Sequence, residues 1–374
     1  MRRGRGEGSL AFRKDKGCWQ GAITVGYDAH GKRKRRTVYG KTKREVQDKL
    51  TRLQGQKLDG TLGDTCKLTV ANYLDQWLDN TARRTVRETT LASYRTLVRL
   101  HIHPHIGGVK LIQLTPSHLD ALLSRLDEAR LSPRRQQMAF GVLRCALNQA
   151  VKRGLLLRNA CLAIDAPKAE QREMQPLTQE ETKRFLGAAE GDRLHALYVL
   201  AVTVGMRQGE LLALEWDDLD FEERTLFVRR TLNELDGTFV TGPPKTKRGL
   251  RRIRLPQVAT DALQKHRKRM LVEGRAASRL VFCDQNGGPL RRQNMQRRSF
   301  KPLLKQSRCP NIRFHDLRHT YATLSLAAGV PIKVVSDTMG HSRASVTMDI
   351  YAHTLASQEW VSAERMDAAF GRAG

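Results

Sequence analysis

The chain has 374 residues, with 66 Lys and Arg against 38 Asp and Glu, a net charge of +28. Its length asks for two or three domains at roughly 100–200 residues each, and 40% hydrophobic residues supply their cores and exclude global disorder. The cationic excess points to a polyanionic partner, nucleic acid before membrane, and no apolar run approaches the roughly 18 residues that span a bilayer.

The opening stretch, MRRGRGEGSL, is basic and lacks the apolar segment of a secretory signal. Residues 1–60 carry 17 Lys/Arg and 6 Asp/Glu, a net of +11. Residues 10–13, 19–27 and 33–39 read as short strands, separated at 14–17 (KDKG) and 28–31 (DAHG) by turn chemistry. Thr42 and Glu45 form a T-x-x-E capping box, and Val46, Leu50 and Leu53 follow at helical spacing, so one helix covers one face of the sheet. The other face and the run Lys32 to Arg36 stay available to phosphates, a common way to place strands in a DNA groove.

Residues 60–67 read as a linker, and residues 68–166 as a helical bundle. Val70, Tyr73, Leu74 and Trp77 share a face; residues 90–101 repeat it with Tyr94, Leu97 and Val98. Thr115-Pro116 starts a helix carrying Leu119, Leu122, Leu123 and Leu126. Residues 132–152 form a longer one with Met138, Val142, Ala146 and Ala150 on its apolar side. Arg134, Arg135, Arg144, Lys152 and Arg153 offer a basic face, though singly each reads as a solvated side chain. Residues 167–176 (PKAEQREMQP) tether the bundle to a last domain, 177–374.

In that last domain Thr178 and Glu181 repeat the capping box, and residues 195–204 form an almost wholly apolar helix. Strands are expected at 226–231 and 251–255, in a hairpin region. Helices are expected near 260–273, 292–306, 317–328, 332–339 and 344–351. Strands and helices do not alternate regularly, which argues for α+β. The acidic run at 215–220 (EWDDLD) reads as surface before a turn, not as a metal site. Cys18, Cys66, Cys145, Cys161, Cys283 and Cys309 form no C-x-x-C pair and read as buried thiols of a reducing cytoplasm.

Five stretches of the last domain carry chemistry. In residues 204–210 (VGMRQGE), Arg207 sits between two glycines after a buried helix. Such a turn can aim a guanidinium inward to grip a phosphate with two parallel hydrogen bonds, with Glu210 holding the loop or the Arg. Residues 244–249 (PKTKRG) mark a hairpin tip where one Lys can reach a groove and donate a proton. His315 and Arg318 lie three apart on one helix face, with Leu317 and Tyr321 toward the core. Gly340 stops a helix just before His341, and Tyr351 follows ten residues later.

Taken singly, each His reads as hydrogen-bonded structure and Tyr351 as half-buried packing. As a set, two Arg, two His and one Lys can neutralise a phosphodiester in a pentacoordinate state while the Tyr attacks it. A phenol with a pKa of about 10 needs cationic neighbours and a proton acceptor to become a nucleophile. The leaving deoxyribose oxygen needs a proton donor, which a Lys supplies. Arg and Lys then do what metal ions do elsewhere, so the set asks for no metal or other cofactor.

The order Arg, Lys, H-x-x-R, G-H, Tyr resembles the tyrosine recombinase (phage integrase) family. Residues 203–214 (TVGMRQGELLAL) are similar to its first signature box, and residues 314–323 (FHDLRHTYAT) with 339–351 to its second. Residues 70–106 resemble its core-binding helical domain, and residues 1–60 the arm-type DNA-binding domain of temperate-phage and conjugative-element integrases. Met339 departs from the family's usual Leu.

The resemblance implies a multidomain fold. It consists of a small β-sheet plus helix at the N-terminus (1–60), an all-α core-binding domain (68–166), a linker (167–176) and an α+β, mainly helical, catalytic domain (177–374). It implies Tyr351 as the nucleophile that forms a 3′-phosphotyrosine, Arg207 and Arg318 as the phosphate clamp and Lys245 as general acid. His315 would assist proton transfer, His341 would bond the phosphate and Glu210 would support Arg207. Lys247, two residues from Lys245, is the competing candidate for the acid.

Strand exchange through a Holliday junction without ATP or metal would follow, on double-stranded DNA with core and arm attachment sites. The implied assembly is a homotetramer, assisted by a host bending protein and an excision factor, in the bacterial cytoplasm. A helix ends where His101, His103 and His105 stand, so these pack or touch DNA and do not bind a metal. The stretch after Tyr351 docks on a neighbouring subunit or packs on its own. The alternatives are a resolving recombinase, a type IB topoisomerase-like enzyme, and a DNA-binding regulator without catalysis. The basic N-terminal module favours an integrase over the first two. The coexistence of Arg207, His315, Arg318 and Tyr351 argues against the regulator.

Overall fold

Between residues 9 and 40, β-prone runs broken by turns pair as an antiparallel meander in the computed structural model. Its strands are β1 (Ser9–Arg13), β2 (Cys18–Tyr27) and β3 (Arg33–Gly40), in the order β1-β2-β3. The structure describes residues 9–27, 32–58, 67–170, 174–235 and 237–341, with Met348, Met366, Asp367 and Phe370 beyond them. The expected turn at 28–31, Cys66, the helix at 344–351 apart from Met348, and nearly all of the C-terminal stretch lie outside the described residues. Helix α1 (Lys43–Leu58) starts where the Glu45 amide donates to Thr42 Oγ1 at 3.2 Å. The Glu45 carboxylate reaches back one residue further than a standard capping box, to the Lys41 amide at 3.0 Å. Val46, Leu50 and Leu53 bury against Ile23, with Leu10, Trp19 and Val38 packed around them.

By their internal contacts the residues divide into two units, Met1–Gln171 and Arg172–Gly374. The first holds a second core, separate from that under the sheet, built from helices. These are α2 (Val70–Trp77), α3 (Arg83–Thr85), α4 (Glu88–Leu97), α5 (His103–Ile106), α6 (Pro116–Glu128) and α7 (Pro133–Lys152). Val70, Tyr73, Leu74 and Trp77 form the buried stripe of α2, and the Tyr73 hydroxyl donates to the Ala146 carbonyl at 2.7 Å. Pro116 opens α6 after its N-cap Thr115.

Residues 98–102 form a wide π-type turn between α4 and α5, so the stretch expected as one helix changes pitch after Leu97, with His101 in the turn and His103 and His105 in α5. Met138 corrects the expected apolar side of α7, because it is 39% exposed. The buried stripe runs instead through Ala139, Phe140, Leu143, Ala146, Leu147 and Ala150, with Val142 beside it. The thiols are also less uniform than expected. Cys161 and Cys283 are buried, Cys18 and Cys309 partly so, and Cys145 is exposed on the polar side of α7.

The second unit is mainly helical, as α+β patterning requires. Helix α8 (Gln179–Ala188) has the expected box complete, with the Thr178 amide donating to Glu181 Oε2 at 2.8 Å and the Glu181 amide to Thr178 Oγ1 at 3.2 Å. The apolar α9 (His195–Thr203) runs through the middle of the core and the short α10 (Gln208–Leu212) follows. The strand expected at 226–231 is not one strand. Strands β4 (Leu219–Asp220), β5 (Thr225–Val228) and β8 (Arg251–Arg254) form one sheet, whereas β6 (Thr231–Leu235) and β7 (Thr238–Gly242) form another.

The break falls at Arg229 and Arg230. Arg230 turns away to pair with Glu215 and Asp218, and Arg229 lies 3.7 Å from Asp218. Asp218 is 2% exposed and caps the turn before β4, so the acidic run is internal bracing at Asp218 and surface, as expected, at Asp217 and Asp220. Helices α11 (Gln257–Val272), α12 (Arg292–Met295), α13 (Lys301–Gln306), α14 (Asp316–Ala327) and α15 (Ile332–Met339) complete the unit. The helix expected at 292–306 is interrupted by a π-type turn at residues 296–300, which carries Ser299 to Tyr198 and Asp192.

Candidate active site

Helix α9 has seven successive buried residues and ends where Gly205 takes φ +63°. A Cβ there would lie 2.3 Å from the Tyr321 ring, so the position requires glycine on both conformational and steric grounds. The chain then turns out through Arg207, the N-cap of α10. Glu210, 2% exposed, accepts from the Arg207 amide at 3.0 Å and from Arg207 Nη1 at 2.8 Å. Burial opposes its charge, but hydrogen bonding and attraction from Arg251, then Arg207, hold its carboxyl below the usual range.

The second cluster starts α14. Asp316 braces the turn by accepting from the Arg313 amide and guanidinium. His315 stands at the N-cap and Arg318 in the first turn, 3% exposed, with Leu317 and Tyr321 in the core. Arg318 Nη1 donates to the Gly205 carbonyl at 2.6 Å. The third cluster is the end of α15, where Gly340 takes the left-handed cap at φ +68°. Its carbonyl accepts from Arg207 Nη2 at 3.1 Å. Arg318 thus holds the peptide two residues before Arg207, and Arg207 holds the peptide one residue before His341. The two guanidiniums and His341 belong to one cross-braced group.

The histidines there are kept neutral. Burial and then the cations Arg318 and Arg207 push His341 down to about 4. His319, 8% exposed, sits edge-on to His315 with ring centroids 4.9 Å apart. Burial and His315 push it down to about 4 as well. His315 is lowered by desolvation and Arg318 against the opposing pull of Asp316. A neutral imidazole offers one acceptor and one donor nitrogen, which suits proton transfer and phosphate bonding near neutral pH.

Lys245 is exposed on the segment between β7 and β8, which closes through a Gly249 amide bond to the Thr246 carbonyl at 2.8 Å. The side chain of Lys247 and the whole of Tyr351 lie outside the described residues. Sequence reading missed Arg251, whose side chain is 7% exposed. It donates to Glu210 Oε2 at 2.8 Å, to the Thr338 carbonyl at 2.6 Å and to the Gly249 carbonyl at 2.9 Å. The signal was strand parity, because Arg251 shares a face of β8 with buried Ile253. In the bundle, His101 and His103 stand in the turn and helix described above, and His103 lies 3.5 Å from Asp75.

Comparison with known proteins adds independent findings. A model described as the phage integrase family matches residues 175–358, and one described as a phage integrase N-terminal SAM-like domain matches residues 69–126. The chain is 30% identical over 373 residues to a XerC-like tyrosine recombinase of Caldanaerobacter subterraneus subsp. tengcongensis, covering 93% of this chain and 95% of that one. It is 30% identical over 394 residues to an integrase of Streptomyces ambofaciens, covering 99% and 98%. Its fold is similar to a Tn1549 transposon integrase fragment solved with circular-intermediate DNA, at TM-score 0.67 and 23% identity over 80% of this chain and 99% of that one. It is also similar to a lambda integrase tetramer bound to a Holliday junction, at TM-score 0.58 and 20% identity over 90% and 96%. Among the described residues no helix is long and apolar enough to cross a membrane.

Proposed function

This chain belongs to the phage integrase family of tyrosine recombinases, and from that premise we propose that it is a mobile-element integrase acting through a 3′-phosphotyrosine. The observation that carries the reading is the cross-braced group, in which Arg207, Arg318 and His341 are tied through the Gly205 and Gly340 carbonyls beside His315.

In this reading Arg207 and Arg318 take the two non-bridging oxygens of the scissile phosphate, and His341 donates to one of them. Tyr351 Oη attacks phosphorus while its proton passes to His315, which burial and then the neighbouring arginines keep unprotonated. The bond from phosphorus to the 5′-oxygen breaks and Lys245 delivers a proton to the leaving oxygen. The phosphotyrosine keeps the bond energy, so a 5′-hydroxyl from a partner strand can reverse the step. Two rounds exchange the strands through a Holliday junction within a tetramer. Residues 1–60 serve as the arm-type DNA-binding domain, 68–166 as the core-binding domain, 167–176 as linker and 177–374 as the catalytic domain. Double-stranded core and arm sites, a host bending protein and an excision factor are the partners, in a bacterial cytoplasm.

The test is covalent trapping on DNA with a nicked scissile strand. Wild type should leave a protein–DNA adduct stable to detergent, and Tyr351→Phe none. An undiminished adduct in the Phe variant would place the nucleophile elsewhere.

A further inference from the structure

Arg251 contacts three of the segments that carry the candidate site, all but the start of α14. Its Nη2 meets Glu210, which also holds the amide and guanidinium of Arg207. Its Nε meets the Thr338 carbonyl, in the last turn of α15 ahead of Gly340 and His341. Its Nη1 meets the Gly249 carbonyl, at the end of the loop that carries Lys245. The fit is tight on every side. A Cβ on Gly340 would stand 2.9 Å from Arg251 Nη1 and 3.0 Å from the Arg248 carbonyl, and one on Gly249 would stand 2.4 Å from the Pro244 side chain.

We infer that Arg251 is a positioning residue, one that fixes the Arg207 loop, the Lys245 loop and the His341 turn in a single register around the phosphate. The inference rests on the recombinase reading above. The Arg251 side chain is 7% exposed and has three of its N–H groups committed to protein acceptors on three different segments, so its contacts tie the site's parts to one another. A planar fork is required for the task. Lysine's single ammonium is a point charge and does not reproduce three donors spread over a guanidinium. Glu210 is the other half of the device. With Arg251 gone, its carboxylate would be left to Arg207 alone, drawing that guanidinium away from substrate. The two residues therefore act as a unit.

The test uses the full chain and a negatively supercoiled plasmid carrying the DNA that flanks the encoding gene. A transient phosphotyrosine bond lets superhelical turns escape, so relaxation reports cleavage and rejoining, and anisotropy on a labelled duplex reports binding. Arg251→Gln should bind within about threefold of wild type and relax about 30-fold or more slowly, since small misplacement of reacting groups costs that order of rate. In a Glu210→Gln background the same change should cost no more than about threefold further, because coupled residues are not additive.

Arg251→Lys, which keeps the charge, should fold and bind but recover only a small part of the rate. It therefore decides the matter if the Gln variant does not fold. Wild-type relaxation by either Arg251 variant would overturn the inference and leave the recombinase reading standing, as would losses from Arg251 and Glu210 that simply multiply. Failure of wild type itself to relax the plasmid or form an adduct would overturn the reading, and the inference with it.

Discussion

His319 is a titratable ring that the proposed chemistry leaves unused, and its burial has a thermodynamic consequence. An unfolded histidine binds its proton at about pH 6.5; this one does so at about 4 when folded, chiefly through burial and then His315. Between those values the unfolded chain holds more protons, so stability is fully present above pH 6.5 and declines as the pH falls toward 4. From pH 7 to pH 5 the loss from this one group is about 2 kcal/mol. Urea unfolding of wild type and His319→Gln at the two pH values measures it: the variant should lose about 2 kcal/mol less on acidification. Equal losses would mean that the ring is protonated in the fold without cost.

At this scale the sequence was legible where spacing encodes chemistry, as in Arg207 with Glu210 and His315 with Arg318. It was less legible at Arg251, which sits in a run of basic residues where charge alone suggests solvent. Only the alternation with Ile253 marks it as inward.

The elements that carry the site are short, and their junctions matter more than their lengths. Gly205 joins α9 to the Arg207 turn, and its carbonyl receives Arg318. Gly205→Ala puts a methyl into a left-handed residue, at about 1 kcal/mol, and against the Tyr321 ring 2.3 Å away, which the core must absorb by moving. The expected total is about 2–4 kcal/mol of lost stability. Cleavage should fall further than the stability loss explains, because the carbonyl that aligns Arg318 moves with the turn. Denaturant unfolding and single-turnover adduct formation, measured well below the melting temperature, separate the two effects. A stable variant with unchanged cleavage would show that the turn has room to relax.

Caps and amphipathic stripes made most helices legible: Thr178 with Glu181, Thr115-Pro116, and the Val46, Leu50, Leu53 row all stand where local patterning puts them. The strand breaks were not legible in the same way. The turn at Arg229 and Arg230 depends on carboxylates more than ten residues back, and a local pattern does not carry so distant a pairing. Met138 failed for a related reason. On a helix as long as α7 the choice of stripe is made by the neighbours it packs on, not by the count of apolar residues.

Across the whole chain the charge is concentrated, and so is the consequence. Residues 1–60 hold a net +11, while the sheet-and-helix core formed by Ile23, Val46, Leu50 and Leu53 shares no buried residue with the bundle core or the core around α9. Burial stabilises each core through its own side chains, so removal of the first leaves the apolar area of the others intact. Lys32, Arg33, Arg35 and Arg36 are exposed along and before β3, where contacts to DNA phosphates would release condensed counterions. Deletion of residues 1–60 should therefore leave the melting temperature of the remaining chain nearly unchanged and cleavage of a short core duplex within about threefold. It should flatten the salt dependence of binding to long DNA by several phosphate contacts, at a slope of about −0.9 per contact. Integration between long attachment sites should fall far more than core cleavage. Anisotropy titrations across a salt series, run beside both reactions, test all of this on one protein pair. Equal integration by the truncated chain would show that the N-terminal charge serves solubility alone and that the bundle and the last domain suffice to find the site.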